Sequence, residues 1–235
     1  MTPPMLTPTE IEILLLSAQV SGLATLLSVL PGVAVAYLLA RREFPGKWLL
    51  DAAVHLPLIL PPVVTGYLLL LLLGREGWVG SVLYGMGIEL AFRREGAVLA
   101  AALPGFPLLV RSARIGFEMI DPGLEGAART LGTSALRTFT RVTIPLAWTG
   151  IVAGILLAFA RSLGEFGATI TFAANIAGET RTLPLAIHTY LQIPGGEAAA
   201  LRLTLIAIAL AVGALLIGEL LQRRARARIR GEVAR

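Results

Sequence analysis

The chain has 235 residues, 56% of them hydrophobic and only 15% charged, with a mean hydropathy of +0.78. A soluble domain of this length needs far more polar surface, so composition excludes one and specifies a multi-span α-helical membrane protein. The lack of cysteine excludes disulfides, thiolate catalysis and Cys-ligated metals, and the +5 charge fits arginines at cytoplasmic loops better than nucleic acid.

Spans are expected at about 11–40, 48–73, 96–115, 144–163 and 198–221, each reaching or exceeding the roughly 20 residues that cross about 30 Å of hydrocarbon. All lie in a single domain covering 1–235. The first stretch lacks a basic leader and is too long for a signal peptide, so it is a true span, expected to bend or break at Pro31-Gly32. Thr182 to Gln192 is too short to cross and contains Pro184, which suits a re-entrant or surface helix on the outer side.

Basic residues set the expected orientation. Arg41, Arg42 and Lys47 follow span one, Arg111, Arg114, Arg129, Arg137 and Arg141 lie between spans three and four, and Arg223, Arg224, Arg226, Arg228 and Arg230 follow the last. All three groups fall on one side of a five-span chain, which the positive-inside rule makes cytoplasmic. The N-terminus is then outside and the C-terminus inside.

Missing chemistry narrows the class. No G-x-x-x-x-G-K-[ST] phosphate loop is present, so the chain is not expected to bind ATP or to act as an enzyme. His55 and His188 stand apart among apolar residues and suit packing roles. No span carries an acidic residue at its centre, which weighs against an ion-coupled secondary anion carrier.

Span two contains Pro57 and Pro61-Pro62, and span three contains Pro104 and Pro107. Both spans are expected to kink or break there. Pro62 lies about 20 Å of helical rise from the inner start of its span and Pro107 about 15 Å from the outer start of its own, so the breaks fall at comparable depth. Restarting half-helices at that depth suit an anion, with Thr65 just beyond; prolines that only shape packing are an equal alternative.

The segment Asp121-Pro122-Gly123-Leu124-Glu125-Gly126-Ala127-Ala128-Arg129-Thr130-Leu131-Gly132 opens with an N-cap and proline pair and can stop at its last glycine. Ala127-Ala128, Gly132, Val142, Ile144 and Pro145 resemble the EAA loop of ABC importer permeases, with Gly126 at the family's glutamate position and Glu125 immediately before it. That shift resembles the molybdate branch and its sulfate and tungstate relatives. Arg41 to Lys47, Leu56 to Tyr67 and Phe159 to Phe172, followed by Gly178-Glu179-Thr180-Arg181-Thr182, are similar to molybdate permeases in particular.

The resemblance implies an all-α polytopic protein of the type I ABC importer permease fold, with five spans and a cytoplasmic coupling-helix loop over 116–143. It implies a homodimer in the prokaryotic inner membrane with two copies of an ATPase, which would hold the ATP and magnesium, and an extracytoplasmic oxyanion-binding protein. Glu125, Gly126, Ala127, Ala128, Arg129 and Gly132 would meet the ATPase. The implied cargo is molybdate, with sulfate or tungstate as the alternative.

Near the outer end of span four, Arg161 and Glu165 are spaced to pair on one helix face. Together with Pro61, Pro62, Thr65, Ser162, Thr169 and Thr171 they are the pathway or gate candidates, although an interfacial pair that holds a turn is the favoured reading of the two charges. Gly150 and Gly154 form a G-x-x-x-G that allows close helix packing without specifying a dimer face.

Overall fold

The computed structural model describes residues 6–233; the side chains of Leu215 and of residues from 221 onward, including the arginine tail, lie outside the described residues. Helix α1 (Pro8–Arg41) begins at a reciprocal cap. Thr7 Oγ1 accepts from the Glu10 N–H at 3.2 Å and the Glu10 carboxylate accepts from the Thr7 N–H at 2.8 Å, with Pro8 in the first turn. The helix therefore starts before Ile11, and it runs through Pro31 without the expected break.

Helices α2 (Lys47–Ile59) and α3 (Pro62–Leu73) meet at a 115° bend. Pro57 rides inside α2; the break falls where two successive prolines remove two N–H donors. After the short α4 (Gly80–Gly85), α5 (Arg94–Glu118) is one continuous helix through Pro104 and Pro107. The break expected there is absent. Each of these isolated prolines removes one N–H donor only, and Ser162 Oγ, donating to Ala101 O at 2.7 Å, ties α8 to this stretch of α5.

Then come α6 (Pro122–Thr130), α7 (Ala135–Thr138), a π-helical turn (Phe139–Thr143), α8 (Ile144–Leu163), α9 (Gly167–Phe172), α10 (Leu183–Leu191) and α11 (Glu197–Val233). Among the described residues, four helical stretches are long and apolar enough to cross a membrane, and five when α2 and α3 count as one bent span.

Helix α5 is the centre of the bundle, packed between α1 and α8. Apolar burial gives little net drive between helices in lipid, so close approach of small residues has to hold them. A Cβ on Gly150 would stand 2.8 Å from Gly116 Cα, and one on Gly154 would stand 2.8 Å from Leu109 O. The G-x-x-x-G thus serves α8 against α5 of the same chain. Toward the α6 end, Phe117, Leu39, Val110 and Ile151 are buried together, with the Tyr37 ring edge-on to Phe117 and Phe139 at 5.4 and 4.8 Å. At the α9 end, the buried Glu10 carboxylate accepts from Arg202 Nη2 at 2.8 Å, tying α1 to α11.

Candidate functional site

Two groups of side chains stand out, one at each end of the bundle. At the α6 end, the Asp121 carboxylate caps α6 by accepting from the Gly123 N–H at 2.8 Å. The helix stops at Gly132, whose φ of +83° is the left-handed conformation that a glycine adopts without strain. Gly126, Ala127, Arg129 and Gly132 are exposed and Ala128 is half-buried. A Cβ built on Gly126 meets nothing within 4 Å. Leu131, just beyond the helix, is 85% exposed, and Leu136 is also open.

Glu125 points the other way. Its Oε1 accepts from Thr143 Oγ1 at 2.8 Å and lies 3.5 Å from Arg41 Nη2. Arg41 Nη2 also donates to Ile120 O at 3.1 Å. Glu125 therefore belongs to its own chain's interior, apart from the five residues named with it. Sequence reading missed Arg41 and Thr143 as its partners, because Arg41 served only as a mark of sidedness and Thr143 carried no signal. On the same end, Arg114 pairs with Asp51 at 3.1 Å and with Glu118 at 2.7 Å. His55 Nδ1 sits 2.8 Å from Asp51 O, a packed and hydrogen-bonded histidine.

At the other end, Pro57, Pro62, Thr65, Pro104, Arg161, Glu165 and Ala168 line a cavity of about 10 Å³. That is room for about one water. Both proline regions thus meet the charged pair, although only one of them is a break. Helical rise along α8 sets Arg161 and Glu165 near the outer edge; α5 continues about 10 Å beyond the level of Ala101, to which Ser162 donates, before its first residue, Arg94.

Arg161 Nη1 donates to Glu165 Oε2 at 2.7 Å, and Glu165 Oε1 accepts from the Ala168 N–H at 2.9 Å, capping α9. The Glu165 side chain is 2% exposed and that of Arg161 31%. The remaining candidates do not line the cavity. Ser162 and Thr171 give their hydroxyl protons to Ala101 O and Gly167 O, Thr169 is buried, and Pro61 faces outward. Close backbone approach closes the site, since a Cβ on Gly66 would lie 2.7 Å from Ala168 O and one on Gly167 would lie 2.6 Å from Pro62 Cβ. Ala168, Pro57 and Pro104 are site residues that motif reading did not select; the prolines were visible as helix breakers only.

The chain is 56% identical to the molybdenum transport system permease protein ModB of Escherichia coli K12, over 95% of this chain and 98% of that one. It is 50% identical to ModB of Haemophilus influenzae, over 96% and 99%. Its fold matches a bacterial ABC transporter involved in alginate import with a TM-score of 0.74 at 16% identity, over 93% of this chain and 80% of that one. Residues 32–227 match the family model of the inner membrane component of binding-protein-dependent transport systems, and the chain belongs to that family.

Proposed function

We propose that the chain is the membrane subunit of an ATP-driven molybdate importer, inserted in the inner membrane with its N-terminus outside and its C-terminus in the cytoplasm. The observation that carries the cargo is the 56% identity to a molybdenum permease over nearly the full length of both chains. Two copies form the pathway, two copies of a separate ATPase bind and hydrolyse ATP inside, and an external binding protein delivers the anion. The exposed face of α6, Gly126 to Gly132, is the surface that meets the ATPase. Arg161 and Glu165, with Pro62 and Thr65, form the constriction. A cavity with room for about one water cannot hold a tetrahedral dianion, so passage requires the helices that line it to separate.

Labelled molybdate uptake into vesicles holding the complete complex and the binding protein tests this reading. Uptake should require ATP inside the transport system, and excess tungstate should compete more strongly than excess sulfate. Uptake that continues without any ATPase would assign the chain to secondary anion carriers. Stronger competition by sulfate would replace molybdate as the cargo.

A further inference from the structure

The Glu125 carboxylate joins three elements. It stands in the first turn of α6, it accepts from Thr143 at the end of the π-helical turn that leads into α8, and it lies against Arg41 in the last turn of α1. A cation at a helix C-terminus and an anion in a first turn are both favoured by the helix dipoles. The joint is largely removed from solvent. The Arg41 and Glu125 side chains are 12% and 13% exposed, and Thr143 is 1% exposed. Arg41 Nε is buried with no hydrogen-bond partner among the described residues, so the guanidinium depends on its Nη2 contacts with Glu125 and Ile120. Turning Glu125 outward would strand a buried cation. The π-helical turn, with its wider backbone, is also the kind of local irregularity found at functional positions in long helices.

We propose that Glu125 is a positioning residue that acts within its own chain, carrying displacement of α6 to α1 and α8 through Arg41 and Thr143, and that it makes no contact with the ATPase. This rests on the reading of α6 as the ATPase-facing helix. The neighbouring Gly126 takes the opposite role, since the space outside it is open. The shifted glutamate therefore divides the helix into an inward tie and an outward, close-approach face.

The test uses the complete complex in vesicles with binding protein, reading retention of the ATPase, ATP hydrolysis and molybdate uptake. Thr143→Val should lower uptake per ATP hydrolysed about tenfold, the effect of losing a hydrogen bond to a charged group, and Glu125→Ala should lower it at least as much, since it also removes the contact with Arg41. The double variant should be no worse than Glu125→Ala alone, because Glu125→Ala already removes the Thr143 contact along with that to Arg41. Thr143→Ser, which keeps the hydroxyl, should restore the ratio, and all four should retain the ATPase. Loss of the ATPase from Glu125→Ala, multiplying effects, or an unchanged ratio in Thr143→Val would overturn the proposal. Should Glu125→Ala fail to assemble, Thr143→Val alone decides. Gly126→Trp tests the underlying reading separately: it should fold and release the ATPase, and retention there would reject α6 as the docking helix whatever Glu125 does.

Discussion

The two ends of the bundle use glycine in opposite ways. At the α6 end, a side chain on Gly126 would enter empty space, and the helix around it is exposed. At the α9 end, side chains on Gly66 and Gly167 would collide with backbone or a proline ring, around a pair in which Glu165 is buried and Arg161 partly so. Open glycine leaves room for something else to approach. Blocked glycine means that the chain has already filled the room itself. The first arrangement suits a docking surface and the second suits a constriction.

The contrast breaks most visibly at the ion pair. Arg161→Met leaves the buried Glu165 carboxylate with only the Ala168 N–H and should cost about 3 kcal/mol of stability, in the range for orphaning a buried charge. Glu165→Gln keeps one acceptor oxygen, for Arg161 or for the Ala168 N–H but not both, while removing the buried charge, and should cost about 2 kcal/mol. Denaturant unfolding of the purified chain in detergent gives both values. Equal losses would mean that the pair is solvated rather than closed in.

The next effect lies in the middle of the bundle. Gly150→Leu forces α8 away from α5, where Gly116 Cα stands within 2.8 Å of the new Cβ position, and should cost about 2 kcal/mol through overpacking. The same unfolding measurement reads it, and an unchanged midpoint would show that α8 can shift freely on α5.

Much of this was legible in the chain itself, and the misses have physical causes. The apolar runs marked the spans, because hydrocarbon thickness sets their length. The Asp121-Pro122 start and the Gly132 stop marked α6, because caps are local chemistry. Proline was less informative. Pro61-Pro62 broke its span while Pro31, Pro104 and Pro107, none directly followed by a second proline, did not, since one missing N–H leaves the ladder on either side intact. The partners of Glu125 were hidden, because Arg41 and Thr143 reach it only after the bundle has formed.

On the exposed end, backbone conformation should outweigh contacts. Gly132 holds φ at +83° with nothing near its Cβ position, so Gly132→Ala should cost about 1 kcal/mol from the left-handed conformation alone. The loss should appear as earlier exchange of the α6 amides, with the bundle core unaffected. Exchange that spreads into α5 would show that the end of α6 is tied to the core more tightly than its exposure suggests.

The smallest effect has the opposite sign. Gly126 lies in the interior of α6, so Gly126→Ala removes backbone freedom from the unfolded chain and should stabilise the helix by about 0.5–1 kcal/mol. Beyond its chain neighbours and its own helix backbone, no atom of the described residues lies within 4 Å of the added methyl, so nothing internal opposes the gain. Slower exchange of the α6 amides in the isolated subunit is the expected result. If the same substitution weakens retention of an ATPase while it stabilises the helix, the glycine is kept for what lies outside the chain. If it stabilises both, the open space at Gly126 is ordinary solvent, and the contrast with the blocked glycines at the other end loses its functional meaning.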